Sequence, residues 1–259
     1  MNDASDQLRN VYQKALFHDS MWSVSDDDPH LRLLRGQLPH DRSIRILDAG
    51  CGNGRYMRRL AEMGYKNVWG LDLFRTDGVT LENYVAASLG QLPFADASFD
   101  FVYANSVVYY IRPPQAALAE LARVLRPGGT AIVTAHNRYS LYTLSRVLRR
   151  AAGRRSAEHL KGARFCSTGQ YVRWMREAGF RMNGVDGFFW YPRKIRRLKA
   201  RWLGSSESKP PAPFVAKKPG TISGGLARIK SEIAYHTVLI GHRLEDQQAP
   251  PIARRAAAA

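Results

Sequence analysis

A glycine-rich turn between an apolar strand and an amphipathic helix constrains this chain more than any other stretch. Apolar residues lead into an acid, and glycine then recurs at every second position, in Ile44-Arg45-Ile46-Leu47-Asp48-Ala49-Gly50-Cys51-Gly52-Asn53-Gly54. The apolar spacing then becomes helical, at Met57, Leu60, Ala61 and Met63. Glycine is needed where a chain turns sharply or where a ligand touches the backbone. The run predicts strand, turn and helix, with either a ligand site or an ordinary tight turn between them.

The order of acid and glycines separates two kinds of nucleotide ligand. A dinucleotide fold uses G-x-G-x-x-G, with the pyrophosphate at the helix N-terminus. This chain has D-x-G-x-G-x-G. Asp48 would repel a pyrophosphate, and a carboxylate at the end of the first strand suits a cationic ligand better.

Three later segments fall where a repeating strand-helix-strand pattern requires them. Asn67 to Asp72 is a short apolar strand that ends in an acid, 24 residues after Asp48. An acid at this point can accept hydrogen bonds from the two ribose hydroxyls of an adenosine. A turn and fourth strand follow at 92–102, and a helix stop, a Pro-Gly-Gly turn and a fifth strand follow at 125–133.

In order and spacing these segments resemble the motifs of class I S-adenosylmethionine (SAM) methyltransferases, in particular the small-molecule and lipid methyltransferases that include the ubiquinone and menaquinone enzymes. The resemblance covers about residues 41–190. It implies a Rossmann-like α/β fold with a seven-stranded, mostly parallel sheet, an antiparallel last strand and helices on both faces. It implies SAM as the cofactor, with contacts at Asp48, Gly50, Cys51, Gly52, Asp72, Leu73, Ser88, Leu89 and Asn105.

Two positions depart from the family's pattern. Relatives often have an acid that meets the adenine amino group where this chain has Ser88, whose hydroxyl accepts a weaker hydrogen bond. Quinone O-methyltransferases tend to have a Glu-His pair where this chain has Tyr109-Tyr110. No metal site is therefore expected, and the two tyrosines are candidates either for a substrate pocket wall or for core packing.

His136 is the candidate general base. It follows the fifth strand, at the edge where open α/β sheets bind ligands. An unperturbed imidazole pKa of about 6.5 suits proton transfer near neutral pH. A structural or solvated role is the alternative.

The resemblance also divides the chain. Residues 1–40 are expected to form an N-terminal helical cap, with Tyr12 and Trp22 either walling the cofactor site or packing in the core. Residues 41–243 form the methyltransferase domain, with a basic, proline-containing insertion at about 191–230. Residues 244–259 are expected to be a disordered tail. With a polar start and two cysteines far apart, a cytoplasmic location is expected.

Charge is concentrated in the second half. Residues 1–135 carry 14 Lys/Arg and 15 Asp/Glu, which gives a net charge of −1. Residues 136–259 carry 25 Lys/Arg and 7 Asp/Glu, which gives a net charge of +18. The expected helix at 139–152 combines an apolar stripe (Leu141, Leu144, Val147 and Leu148) with arginines. Such a helix suits peripheral contact with an anionic membrane, or it docks on the core with its arginines in solvent.

Three functional hypotheses follow. The first is a SAM-dependent methyltransferase of a small-molecule or lipid-like acceptor, with an oxygen favoured. The second is a tRNA methyltransferase, because the first motif also resembles that of wobble-uridine enzymes and the basic half suits a phosphate backbone. The third is a cofactor-binding protein without catalysis, against which the intact Asp48, Gly50, Gly52 and Asp72 argue. The oligomeric state stays open.

Overall fold

The computed structural model describes residues 23–75, 82–151, 163–188 and 236–245. The strands are β1 (Arg45–Ala49), β2 (Asn67–Asp72), β3 (Tyr84–Ala86), β4 (Phe99–Asn105), β5 (Leu125–His136), β6 (Phe180–Phe188) and β7 (His236–Arg243). The helices are α1 (Pro29–Gln37), α2 (Arg55–Glu62), α3 (Pro114–Val124), α4 (Leu141–Ala151) and α5 (Thr168–Glu177), with one 3-10 turn at Val108–Tyr110. The expected sites at Tyr12 and Trp22, the insertion at 191–230 and the tail beyond residue 245 lie outside these residues.

The seven strands form one sheet in the order β3-β2-β1-β4-β5-β7-β6. All pairs from β3 to β5 are parallel, and β7 runs antiparallel to both β5 and β6. This arrangement confirms the expected seven-stranded sheet with an antiparallel last strand. The parallel neighbours β1 and β2 are joined by a crossover that contains α2, because parallel strands cannot be joined by a tight turn.

Apolar side chains fill both faces of the sheet. One layer packs Leu47, Val102 and Ala131 against residues of α3 and α5, such as Leu118 and Trp174. The second layer packs the other face of the same strands against α1 and α2, through Ile46, Phe101, Leu34, Met57 and Leu60. Parallel strands covered on both sides are apolar along most of their length, which explains why β1 and β4 show no strict alternation.

Two helices begin at side-chain caps that the sequence indicates. Asp28 precedes the Pro29 start of α1, and its carboxylate accepts hydrogen bonds from the His30 and Leu31 amides at 2.9 Å. Ser167 and Gln170 form a reciprocal capping box at the start of α5. These caps satisfy amides that have no partner within the helix.

The fifth strand begins earlier than the sequence predicts. A Pro-Gly-Gly turn was expected ahead of the strand, but Leu125 already pairs with Phe99, and the next pair joins Thr130 to Phe101. Residues 126–129 therefore bulge out of the ladder, with Gly128 at a φ of 75°. The third strand is short, with only the three residues Tyr84–Ala86.

The glycine turn after β1 is packed against the loop after β4, and this contact generates a prediction. Gly50 and Gly64 both have positive φ, 81° and 91°. A Cβ at Gly50 would lie 2.6 Å from the Val107 Cβ, whereas a Cβ at Gly64 would meet nothing within 4 Å. Gly64→Ala should lower the free energy of unfolding by about 1–2 kcal/mol, the backbone cost alone, and Gly50→Ala by a further ~1–3 kcal/mol from overpacking. Urea unfolding measures both values, and equal losses would contradict the packing of the turn on Val107.

Candidate active site

The carboxyl ends of four neighbouring strands carry polar side chains. Asp48 is the penultimate residue of β1, and Asp72, Asn105 and His136 are the last residues of β2, β4 and β5. Parallel strands end at the same edge of a sheet, so the structure gathers these four predicted site residues along one edge. This is the edge where open α/β sheets bind ligands.

The amides of the glycine turn are used within the protein. The Gly50 and Cys51 N–H groups donate to the Leu71 carbonyl at 2.6 and 3.0 Å. The Gly52 N–H donates to Asp72 Oδ2 at 2.7 Å. A phosphate-binding turn directs such amides at the ligand, so this geometry agrees with the interpretation against a pyrophosphate.

Asp72 links the turn to the second strand. Its Oδ1 accepts a hydrogen bond from the Leu73 N–H at 2.8 Å, while Oδ2 accepts from Gly52. Burial raises the carboxyl pKa to about 6, although the amides of Gly52, Leu73 and Phe74 act in the opposite direction. A carboxylate has about four acceptor positions, so Asp72 retains capacity for hydroxyl donors of a ligand.

Asp48 is the most strongly perturbed acid of the edge. It is 1% exposed, and its pKa is raised to about 7 by burial and by the charge of Asp72, against the opposing effect of Arg55. Its Oδ2 has no hydrogen-bond partner among the described residues. A buried carboxylate oxygen without a hydrogen-bond donor raises the free energy of the folded protein. A cationic group beside it would remove that cost. The site therefore fits a positively charged cofactor.

The remaining predicted cofactor contacts differ in where their side chains lie. Leu73 is 49% exposed at the edge, and Leu89 is buried after β3. Ser88 is exposed, and its Oγ accepts a hydrogen bond from the Gly90 amide at 3.2 Å. The Cys51 thiol is buried among residues of β2 and α2, and this burial raises its pKa. It also lies 3.9 Å from the Gly52 carbonyl oxygen.

Tyr84 is a site residue that the sequence did not indicate. Its hydroxyl lies 3.0 Å from the carbonyl oxygens of Gly52 and Phe74. The side chain therefore ties the glycine turn to the loop that follows Asp72. An aromatic residue at the start of a strand is an ordinary core residue by pattern, so only the folded structure reveals this contact.

His136 lies in an aromatic cluster beside the edge. Its ring centroid is 4.7 Å from that of Tyr109 and 5.1 Å from that of Phe165. Tyr109 in turn lies 4.6 Å from Tyr110. The three predicted acceptor-site residues are thus brought together, with Phe165 as an unpredicted fourth member.

A second histidine, His236, lies against His136, and a third histidine and a serine lie beside His236. The His236 ring is 4.5 Å from the His136 ring and 5.6 Å from the His30 ring. The Ser106 hydroxyl lies 3.5 Å from His236 Nδ1. These residues come from α1, the loop after β4, and β7, and no local sequence pattern connects them. No group of three or more His, Cys, Asp or Glu in the described parts of the chain is arranged to hold a metal ion.

The central part of the chain matches a known family. Residues 47–133, from β1 to β5, match the methyltransferase domain family. This segment contains Asp48, the glycine turn, Asp72 and Asn105, and it ends three residues before His136.

Curated relatives align over the same part. A malonyl-[acyl-carrier protein] O-methyltransferase of Pectobacterium atrosepticum is 32% identical over 122 residues, which cover 45% of this chain and 48% of the relative. A tRNA U34 carboxymethyltransferase of Hydrogenovibrio crunogenus is 30% identical over 141 residues, which cover 49% of this chain and 40% of that relative. The chain thus spans about half the length of the curated relatives it matches.

Solved structures share the fold over a longer stretch. The SAM complex of phosphoethanolamine N-methyltransferase 2 from Haemonchus contortus has a TM-score of 0.58 at 18% identity, covering 91% of this chain and 56% of that one. At this identity the likeness concerns the fold alone. The family match over residues 47–133, the motif order and the seven-stranded sheet together identify a class I SAM-dependent methyltransferase domain in this chain, with SAM as the cofactor of that domain.

Proposed function

We propose that this protein transfers a methyl group from SAM to an oxygen of a small-molecule or lipid-like acceptor. The observation that carries the proposal is the position of His136. It ends β5 at the same sheet edge as the two buried acids and is enclosed by aromatic rings. A proton acceptor at this place is what an oxygen acceptor requires, whereas an amine or thiolate acceptor can do without one.

The cofactor would be held by the edge of β1 and β2. We propose that Asp72 accepts hydrogen bonds from the ribose hydroxyls and that Asp48 faces the cationic part of the molecule. Leu73, Leu89 and Ser88 would contact the adenine. When bound, SAM supplies a methyl group on a positively charged sulfur, which makes the group reactive without further activation by the protein.

The protein's own part is to position the acceptor, exclude water and move one proton. The aromatic rings of Tyr109, Tyr110 and Phe165 form an apolar wall that excludes water from the reacting atoms. As the acceptor oxygen gains the methyl group, its O–H bond breaks and the proton passes to a ring nitrogen of His136. The bond between the methyl group and the cofactor's sulfur would break in the same step. The products would be a methylated oxygen, S-adenosylhomocysteine and a protonated imidazole, which later releases its proton to solvent.

The relatives support both the proposal and its alternative. The name of the malonyl-[acyl-carrier protein] O-methyltransferase specifies an oxygen acceptor and a carrier-linked acyl substrate. The tRNA relative supports RNA as the alternative acceptor, as does the net charge of +18 over residues 136–259. Contact with RNA would be made through the phosphate backbone and would weaken as the salt concentration rises. The aromatic enclosure of His136 favours a small acceptor.

We further propose that α4 rests on an anionic membrane surface, from which a lipid-like acceptor would enter. Leu144, Val147 and Leu148 are each more than half exposed, as is Tyr139 just before the helix. The Arg146 guanidinium carbon lies 5.3 Å from the centroid of the Phe165 ring. This contact places a cation between the exposed apolar side chains of α4 and the aromatic cluster around His136. No described helix is long and apolar enough to span a bilayer, so contact would be at the surface only.

Methyl-labelled SAM tests the proposed function directly. SAM with a deuterated methyl group is incubated with the protein and cell extract, which is then separated into lipid, polar-metabolite and RNA fractions. We expect the label in the lipid or metabolite fraction, on oxygen by mass spectrometry. Label in the RNA fraction would favour the alternative, and no label in any fraction would contradict both.

The ribose contact predicts the effect of Asp72→Ala. Loss of the carboxylate leaves two hydroxyls without acceptors, so calorimetry should show weaker binding of both SAM and S-adenosylhomocysteine, by about 1–3 kcal/mol. Asp96→Ala is the control, because Asp96 pairs with Arg123 near the opposite edge of the sheet. Unchanged affinity in Asp72→Ala, or tighter binding of a dinucleotide than of SAM, would refute the cofactor assignment.

The base assignment predicts that His136→Ala lowers turnover of the labelled acceptor by about 10²–10⁴-fold. SAM affinity should stay close to that of the wild type. The matched control is His242→Ala, since His242 lies at the other end of β7 and contacts Thr130 at 3.0 Å. Turnover within a few-fold of wild type would give His136 a structural role and leave positioning by Tyr109 and Tyr110 as the remaining contribution.

The membrane proposal predicts that Leu144→Ser with Leu148→Ser weakens sedimentation with anionic vesicles. Both side chains are exposed, 54% and 61%, so the fold should survive the change. Binding should also fade at high salt, because the screening length falls from about 10 Å at 0.1 M to about 3 Å at 1 M. Tight tRNA binding that is insensitive to the leucine changes, without vesicle binding at low salt, would defeat the proposal.

A further inference from the structure

The strongest observation that the proposed function leaves unused is the second histidine beside His136. His236 is the first residue of β7 and pairs with His136 in the antiparallel register of β5 and β7. The two ring centroids are 4.5 Å apart, with the ring planes at 82°. Both side chains are buried, at 8% and 4% exposure. A contact of this kind between close-packed rings fixes the orientation of each.

Ser106, which faces His236, has a constrained backbone. Its φ is 57°, in the left-handed region that residues with side chains rarely adopt. Its N–H donates to both the carbonyl oxygen and the hydroxyl of Thr134, at 3.0 and 3.1 Å. Such strain persists only where surrounding contacts enforce it, and it is concentrated at functional sites. The constraint fixes where the Ser106 hydroxyl points.

The direction of the hydrogen bonds assigns the tautomer of His236. The Ser106 hydroxyl donates to Asn105 Oδ1 at 3.2 Å, and the Thr134 hydroxyl donates to the same oxygen at 2.7 Å. Ser106 Oγ is then left with acceptor positions only, at 3.5 Å from His236 Nδ1. A proton on Nδ1 would complete this contact, and the lone pair would then lie on Nε2.

We propose that His236 is a positioning residue for the acceptor reaction: Asn105 and Ser106 hold it as the neutral Nδ1–H tautomer, and its ring holds His136 in the orientation that receives the acceptor proton. This inference rests on the proposed function. It extends the site from β5 to β7, beyond the segment that matches the methyltransferase family.

The electrostatics of the cluster are consistent with this role. Burial lowers the pKa of His236 well below its ordinary value, and the neighbouring His30 acts in the same direction. Burial and Arg55 lower the pKa of His30 to about 3. Both rings are therefore neutral near pH 7, and a proton that reaches His136 meets no second imidazolium across the 4.5 Å contact.

A tautomer measurement tests the inference without an acceptor. Long-range proton–nitrogen NMR spectra of the full chain, labelled with ¹⁵N-histidine and assigned with His236→Asn, distinguish the two neutral tautomers from the protonated ring. We expect the Nδ1–H tautomer for His236 near pH 7, and its loss in Ser106→Gly, which removes the hydroxyl and also relieves the positive φ. An Nε2–H or protonated His236 in the wild type would overturn the proposal.

Turnover of the acceptor found by labelling tests the positioning role. His236→Asn keeps a donor near the Nδ1 position, whereas His236→Phe keeps the ring but no donor. We expect kcat to fall about 10- to 100-fold in His236→Phe, which loses the donor that fixes the ring, as for other partners that orient a functional histidine. It should fall at least as far in His236→Asn, which loses the ring that contacts His136. SAM affinity should be unchanged in both variants.

The controls separate this inference from the proposed function. Thr237→Val changes the adjacent residue, whose hydroxyl contacts Thr168 at 2.9 Å, and should leave kcat unchanged. If His236→Phe is as active as the wild type, His236 only packs and the inference fails while the proposed function stands. If the wild type methylates no acceptor, the proposed function fails, and the positioning role fails with it.

Discussion

Two buried carboxylates at neighbouring strand ends are the constraint on which the rest of the site depends. Asp48 and Asp72 are both nearly inaccessible to water. Burial raises the pKa of each carboxyl, and the charge of Asp72 raises the pKa of Asp48 further. The glycine turn satisfies Asp72 through the Gly52 amide, but Asp48 Oδ2 has no partner among the described residues. A cation is the ligand that such an edge binds most favourably, which supports the proposal that this turn serves SAM and not a pyrophosphate.

The second half of the site is organised by the sheet itself. β5 carries His136 to the same edge as the acids, and the antiparallel β7 places His236 directly beside it. The cofactor half therefore depends on local elements, a strand, a turn and a helix. The acceptor half depends on pairing between strands about a hundred residues apart. This division agrees with the family match, which covers residues 47–133 and stops before both histidines.

The same division decides what the sequence could predict. The strand, acid and glycine pattern is local, so the first two strands and the acids Asp48 and Asp72 followed from the residues, and the seven-stranded sheet followed from the family resemblance. His236, His30 and the strained Ser106 could not be found, because only tertiary pairing brings them to His136. The bulge at 126–129 was missed for a related reason: a Pro-Gly-Gly run predicts a turn, but whether Leu125 has already joined the sheet depends on its partner Phe99.

Proton release on cofactor binding is the most direct test of the carboxylate site. The free protein holds the Asp48 pKa near 7, above its ordinary value of 3.8, so this group keeps its proton in weakly acidic solution. A cation beside it favours the ionised form, and SAM binding should therefore release protons between about pH 4 and 7, with no release from this group at about pH 9. Calorimetry in two buffers of different ionisation enthalpy counts the protons. We predict release at about pH 6.5 that is reduced in Asp48→Asn, and the absence of release, or equal release by Asp48→Asn, would contradict this account.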